Sequence, residues 1–283
     1  MKYLLMLTTA LLPFIGQSQR LHVDIHAAAA NYQGDLQGKR FTFTNAHPAL
    51  GLGLSYDITN KFIVKALATY TKLSANDKDN TTAKGVEFRN LDFRSTIYEA
   101  QLALEYNLFD LSERSFTPYV FAGIAAFHFN PYSYNTEGNK VFLRPLSTEG
   151  QGLSSYPYRK PYNLNQIAIP FGGGLKFAIN DRLQLGIEIG LRKLFTDYLD
   201  DVSTSYVDSL TLLSARGPQA VAFAYRGNEI PGSPGYPADG AQRGNPKGKD
   251  WYYMTGIRIS YLLFANRNDE GRKTKTGCPK SIY

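Results

Sequence analysis

Gln166-Ile167-Ala168-Ile169-Pro170-Phe171-Gly172-Gly173-Gly174-Leu175-Lys176-Phe177-Ala178-Ile179-Asn180-Asp181-Arg182-Leu183-Gln184-Leu185-Gly186-Ile187-Glu188-Ile189-Gly190-Leu191-Arg192 holds two alternating runs joined by a tight polar turn. In the first run Ile167, Ile169, Phe171, Leu175, Phe177 and Ile179 fall on one parity, with small or polar residues between them. In the second, Leu183, Leu185, Ile187, Ile189 and Leu191 alternate with Gln184, Gly186, Glu188, Gly190 and Arg192. A period of two means that each strand meets two different environments, and Asn180-Asp181-Arg182 between the runs predicts a hairpin. Lys176, Glu188 and Arg192 share the polar parity, so closure of the sheet points all three inward and the aliphatic set toward lipid.

The same pattern recurs along the chain. Leu21–Tyr32 sets Leu21, Val23, Ile25, Ala27 and Ala29 against His22, Asp24 and His26. Leu50, Leu52, Leu54, Tyr56 and Ile58 alternate with small residues, and Thr59-Asn60-Lys61 turns the chain into Phe62, Val64, Ala66, Ala68 and Tyr70. Arg94–Asn107 carries Tyr98, Leu102, Leu104 and Tyr106 outside with Glu99, Gln101 and Glu105 inside. Tyr119, Phe121, Ala125, Phe127 and Phe129 share a parity in a fifth strand, and the opening hairpin supplies the sixth and seventh. In the eighth, about Asp250 to Phe264, Trp251, Tyr253, Ile257, Ile259, Tyr261 and Leu263 point outward and Arg258 inward. Connections after the second, fourth and sixth strands are short, and the others are long and rich in Gly, Pro, Tyr and charge. The expectation is an all-β chain forming an eight-stranded antiparallel transmembrane β-barrel of outer-membrane type, with long extracellular loops and both termini periplasmic. Pro118 suits a strand start, whereas Pro170 is expected to need a bulge.

Met1-Lys2-Tyr3, the apolar run Leu4–Ile15 and Gly16-Gln17-Ser18 read as a secretory signal over residues 1–18, too short to span a bilayer. The barrel is assigned to residues 19–264 and a basic periplasmic tail to 265–283. Among 283 residues, 20 Tyr, 17 Phe and 25 Gly suit spaced apolar positions and long loops. The single Cys278 excludes an intramolecular disulfide and a paired-cysteine zinc site. A net charge of +7 without a dense basic helix does not indicate nucleic-acid binding.

The inward charges Glu99, Glu105, Lys176, Glu188, Arg192 and Arg258 carry both signs on different strands, and in a barrel this narrow they form a salt-bridged plug. His22, Asp24 and His26 share one strand face and are potential metal ligands, but inward polar residues are the norm in a barrel, so no metal is assigned. Asp197, Asp200 and Asp201 could offer oxygens to calcium but lack EF-hand spacing. No Ser, His and acid spacing singles out a triad, so no catalytic residue and no cofactor is assigned. The Gly227–Gly248 stretch is either a surface loop or a fold over the barrel mouth.

A set of short motifs also carries a family likeness. These are Thr117-Pro118-Tyr119-Val120-Phe121-Ala122-Gly123, Leu146-Ser147-Thr148-Glu149-Gly150-Gln151-Gly152, Ile169-Pro170-Phe171-Gly172-Gly173-Gly174, Thr196-Asp197-Tyr198-Leu199-Asp200-Asp201-Val202-Ser203, Arg243-Gly244-Asn245-Pro246 and Asp250-Trp251-Tyr252. In order and spacing they resemble the PorG family of outer-membrane barrels. The resemblance implies a non-enzymatic component of the type IX secretion system, associated with its periplasmic ring of the PorK lipoprotein and PorN. It supplies no catalytic residue. Arg267, Arg272, Lys273, Lys275 and Lys280 outweigh Asp269 and Glu270 in the tail, giving a basic segment that suits an acidic periplasmic partner. Two other classes fit the same pattern: a small transport or ligand-binding barrel, and a barrel-embedded enzyme acting on envelope lipid.

Overall fold

The computed structural model describes residues 21–80 and 86–263. The signal at residues 1–18, the tail at 265–283 with Arg267, Arg272, Lys273, Lys275 and Lys280, and Cys278 lie outside the described residues. The strands are β1 (Leu21–Gln33), β2 (His47–Asp57), β3 (Phe62–Asn76), β4 (Asp92–Asn107), β5 (Phe116–His128), β6 (Tyr132–Tyr134), β7 (Lys140–Phe142), β8 (Asn165–Ala178), β9 (Leu183–Leu194) and β10 (Trp251–Leu262). Neighbours run β3-β2-β1-β10-β9-β8-β5-β4, and β4 pairs back onto β3, so eight strands close into an antiparallel barrel. Closure leaves no free edge in the wall. The short β6–β7 hairpin is appended to β4 where Arg94 pairs with Tyr132.

Alternation in sequence becomes alternation in burial. Leu50, Leu52, Leu102, Ile124, Ile167, Ile187 and Ile257 are exposed on the outer wall, while Lys65, Glu99, Glu105, Lys176, Glu188, Arg192 and Arg258 are buried within it. An apolar belt around every side of a closed sheet, with charge inside, suits hydrocarbon rather than water. Aromatic pairs border the belt. Phe62 stacks near Tyr106 at 5.0 Å toward the short turns, and Tyr70 near Tyr98 at 5.4 Å toward the long loops. Along β3 these borders are on the order of 27 Å apart, or about 20 Å along the axis at the usual tilt. Among the described residues, no helix is long and apolar enough to cross a membrane.

The β8–β9 hairpin forms as expected, with Leu175 opposite Ile187 and Asn180 Oδ1 accepting from the amides of Arg182 and Leu183. Pro170 does not create a bulge. Its strand keeps one register against β5 on both sides, from Ala122 opposite Phe171 to Ala125 opposite Ala168, and against β9 it sits opposite Arg192. The β5–β8 pairing is interrupted over Ile169 and Pro170, and proline offers no N–H there. Two other positions refine the sequence reading. Tyr253 has outward parity yet is buried, because the β1–β2 loop folds over it: Phe41 packs edge-on at 5.2 Å and the hydroxyl bonds the backbone of Thr42. Tyr119, Phe121, Ala125 and Phe127 face the lumen, so on β5 the aromatics are the inside set.

Connections at the short-turn end stay tight, whereas residues 34–46, 77–80, 86–91, 129–164 and 195–250 gather at the opposite end. There they enclose the main apolar core, which includes Tyr32, Phe93, Ile97, Phe127, Phe129, Tyr162, Leu194, Leu199, Leu212 and Tyr252. The last of these loops contains α1 (Ser209–Arg216), started by Asp208 accepting from the amide of Thr211, and α2 (Pro218–Ala224), which opens on proline. The molecule is thus an apolar-coated barrel with polar contents, closed at one end by a packed cap.

Candidate functional site: the lumen and its loop cap

Glu105 on β4 is the hub of the lower lumen. Its carboxylate accepts from Lys176 Nζ on β8 and from Arg258 Nη2 on β10 at 2.7 Å, and Lys65 Nζ on β3 stands 3.6 Å away. Lys65 is closer to Glu188 on β9, at 2.9 Å, and the Tyr119 hydroxyl donates to the same carboxylate oxygen at 2.9 Å. The Lys65 ammonium also sits 3.6 Å from the centre of the Phe121 ring. Nearer the cap, Arg192 donates to both oxygens of Glu99 at 3.2 and 3.1 Å and to Gln101 at 3.3 Å, and the Tyr252 hydroxyl donates to Glu99. Gly190 makes this possible: a Cβ there would lie 2.7 Å from the Arg192 guanidinium.

Four lumenal cations, Lys65, Lys176, Arg192 and Arg258, are therefore paired with Glu99, Glu105 and Glu188, while the buried Asp24 accepts from Ser260. Charges withdrawn from water need this pairing, since an unpaired one costs several kcal/mol. Chemically the cluster fills space and locks strands to one another. His22, Asp24 and His26 are all buried on one face but do not converge: His22 bonds Asp57 at 3.1 Å, Asp24 bonds Ser260, and among the described residues both ring nitrogens of His26 lack a partner. Among the described residues no group of three or more His, Cys, Asp or Glu is placed to hold a metal ion.

A second polar network lies in the cap. Glu149, wholly buried, accepts from the amides of Ser203 at 2.9 Å and Thr204 at 3.0 Å, the Thr204 hydroxyl at 2.6 Å, the Tyr198 hydroxyl at 3.1 Å and Arg243 Nη1 at 3.0 Å. Arg243 further donates to the carbonyls of Asp201 at 2.6 Å and Ala224 at 3.1 Å. Asp201 adopts φ 66°, a left-handed backbone held by Thr148 and Tyr162 donating to its carboxylate at 2.5 and 2.7 Å. Arg89 donates to Asp77 through Nε at 2.8 Å and Nη2 at 2.6 Å, and to the Arg243 carbonyl, so the third barrel loop joins the same network. Arg89 Nη2 also donates to the carbonyl of Asp35 at 3.2 Å, so residues from four loops share a few buried charges.

Burial pushes the Asp197 carboxyl up to about 7, against the opposing hydrogen bond from Ser203. Burial likewise raises Asp201 to about 6, although Arg243 beside it favours the ionised form. Asp200 and Asp250 are raised well above the carboxylate range, first by burial and then, at Asp200, by the charge of Asp250. The geometry agrees. The Tyr32 hydroxyl lies 2.6 Å from Asp200 and 2.9 Å from Asp250, yet a hydroxyl has one proton to donate. The second contact is made good by a protonated carboxyl donating to the tyrosine oxygen.

Comparison with known proteins adds a family. A model described as a domain of unknown function, DUF6089, matches residues 1–144, more than half of the chain. The chain belongs to the DUF6089 family. No curated protein matches its sequence. Among solved structures, this DUF6089 chain is similar to Neisserial surface protein A (9% identity, 87% of this chain and 99% of that one, TM-score 0.42). It is similar to Ail, the attachment invasion locus protein of Yersinia pestis, crystallised with the heparin analogue sucrose octasulfate (9%, 87% and 99%, TM-score 0.41). A third is OprG of Pseudomonas aeruginosa (12%, 87% and 98%, TM-score 0.41). Likeness at this level carries no inference of activity.

The structure brings together all six lumenal charges named from the sequence, and adds Lys65, Tyr119, Gln101 and Tyr252. Lys65 sits on the polar parity of β3, opposite Val64 and Ala66, and its partners on β4 and β9 are set by barrel closure rather than by its own strand. Asp197, Tyr198, Asp200 and Asp201 sit together in the cap, where Glu149, Arg243, Asp250 and Tyr32 join them. Glu149, Arg243 and Asp250 all fall within the motifs that carried the family likeness, a signal that marked them without assigning a role.

Proposed function

We propose that this DUF6089 barrel spans the outer membrane and serves there as a non-enzymatic structural component of type IX protein secretion, anchoring or organising the periplasmic ring complex. The observation that carries a structural role is the filled lumen: four cations and three carboxylates pair across five strands, and a capped, salt-bridged interior is built to hold shape rather than to pass solute. The apolar belt supports the membrane setting. The secretion assignment is supported by the PorG-like motifs, whose polar members Glu149, Asp197, Tyr198, Asp200, Asp201, Arg243 and Asp250 meet in one buried network. With the long loops outside the cell, the short turns and the basic tail face the periplasm, where Arg267, Arg272, Lys273 and Lys275 offer charge to PorK-like and PorN-like partners.

The test is the secreted proteome of a strain lacking the gene, beside one restored with the full-length chain. Cargo of the type IX route is expected to stay cell-associated on deletion and to return to the medium on restoration. Unchanged export in the deletion strain would refute the assignment, and conductance of the purified barrel in a planar bilayer would refute the filled-lumen reading separately.

A further inference from the structure

The outer wall is not uniformly convex. A groove of about 830 Å³ crosses β2, β3, β4, β5 and β8 on the long-loop side of the belt. Register explains it. Ala68, Ala100 and Ala126 lie side by side on three neighbouring strands, flanked by Leu52 and Ile167 in the same row. The next row toward the cap carries Tyr70 and Tyr98 beside His128, and the next row toward the short turns carries the exposed Leu102 and Ile124. Three methyl side chains between rows of large ones leave a trough with an apolar floor and a partly polar upper rim, where His128 bonds Asn165 at 2.8 Å.

Directly above that rim the same wall turns cationic. Lys72 follows Tyr70 on the outer face of β3, and Arg94 stands outward two pairs above Tyr98 on β4. Beside them Arg94 lies 4.9 Å from the centre of the Tyr134 ring and Lys140 3.8 Å from that of Tyr132, on the β6–β7 hairpin. Lys72, Arg94 and Lys140 form no ion pair with a described residue. The adjacent carboxylate, Asp92, is engaged by Arg226 and Ser133. The cations buried in the barrel and cap are paired with carboxylates; this exposed trio is left over at the height where a lipid's head group meets its chains.

We infer that the groove is a docking site for an anionic, phosphate-bearing lipid of the leaflet on the long-loop side, with an acyl chain over Ala68, Ala100 and Ala126 and the phosphate against Lys72, Arg94 and Lys140. The inference rests on the membrane-spanning reading, though not on the secretion assignment. Charge complementarity selects the occupant: a second copy of this chain would bring the same three cations to the contact, and a neutral lipid would leave them without a counter-charge. Basic residues at a membrane surface each strengthen binding of anionic lipid several-fold, so the pair Lys72 and Arg94 accounts for roughly 30-fold.

The full-length chain in dodecyl maltoside micelles would be titrated with dioleoyl phosphatidylglycerol and, separately, with dioleoyl phosphatidylcholine, and the bound lipid counted by native mass spectrometry. The wild type is expected to prefer phosphatidylglycerol. The double variant Lys72→Gln, Arg94→Gln is expected to lose roughly 30-fold for phosphatidylglycerol with little change for phosphatidylcholine. Ala100→Phe, which fills the floor from outside, is expected to weaken both lipids. Equal binding of the two lipids by the wild type, or an unchanged preference in the double variant, overturns the site, as does a dimer that Ala100→Phe converts to monomer. All variants change outward residues, and retention of the heat-modifiable folded band in liposomes shows that they still fold. Absence of that band in the wild type would instead refute membrane insertion.

Discussion

Replacing Arg243 with Met tests whether the cap is held as one unit by its buried charges. The substitution keeps an unbranched chain of similar reach but deletes the guanidinium that bonds Glu149 at 3.0 Å and the carbonyls of Asp201 and Ala224 at 2.6 and 3.1 Å. Glu149 is fully buried, so its charge is left with neutral donors only, and two buried carbonyls lose a partner. Breaking one side of a buried pair costs about 3–5 kcal/mol, which raises the population of the opened cap at least ~100-fold. The barrel does not share this cost, because its lumenal pairs involve none of these groups. Limited trypsin digestion reads the opened fraction when reclosing outpaces cleavage, and the buried Arg89 and half-buried Arg159 and Arg226 in the loops offer sites that the closed cap covers. The expected result is cleavage in the cap at least ~100-fold faster than in the wild type, with the heat-modifiable mobility of the barrel retained. Cleavage within about tenfold of the wild type would refute the shared-charge account of the cap.

Three further outcomes follow from the same geometry. Glu105→Gln leaves Lys176 without its carboxylate and Arg258 with only Glu188 at 3.8 Å, so urea unfolding of the barrel from bilayers should show a loss of about 3–5 kcal/mol. Ile187→Arg places a charge on the apolar belt and should cost about 2–4 kcal/mol in a bilayer; a cost within about 0.5 kcal/mol, usual for an exposed site in water, would refute the membrane-spanning reading. Asp197 and Asp201 have folded values of about 7 and about 6, above the ordinary carboxylate value, so between roughly pH 4 and pH 7 the folded cap binds more protons than the opened one. Cap stability is therefore greatest at the acid end of that window and falls as pH rises, by up to about 1.4 kcal/mol per pH unit per group; proteolytic protection should be stronger at pH 5 than at pH 8, and Asp197→Asn should flatten the difference.

The barrel was legible because period-two patterning carries it residue by residue. A strand such as β4 states its two faces by itself, with Tyr98, Leu102 and Leu104 against Glu99, Gln101 and Glu105, and short and long connections then sort the ends. What escaped were properties shared between distant segments. Tyr253 reads as outward from its own strand, and only the β1–β2 loop, whose Thr42 lies far away in sequence, makes it buried. Pro170 reads as a disruption until the register shows that the interruption falls on one side of its strand alone. The cap was harder still. Glu149, Arg243 and Tyr32 come from three separate segments, and local patterning carries no information about which acid meets which base.

The two networks answer different physical demands, which argues that they were built for different tasks. In the lumen the strands fix the backbone and each of the cations Lys65, Lys176, Arg192 and Arg258 has a carboxylate partner on another strand; the effect is rigidity. In the cap the backbone is irregular and acids outnumber bases: Asp35, Asp77, Glu149, Asp197, Asp200, Asp201 and Asp250 face only Arg89 and Arg243 as buried cations among the described residues. Protons therefore stand in for the missing cations, as the Tyr32 bridge between Asp200 and Asp250 requires. A barrel whose only role was to sit in a membrane would have no need of so costly a cap, since short loops suffice to close eight strands. The cap instead holds four long loops in one conformation against their entropy. That suits a barrel that presents a fixed surface on its long-loop side, away from the periplasmic end, and loosening the cap through Arg243, with the barrel left intact, tests that surface: export should fail where the secretion role uses it and continue where the periplasmic end alone suffices.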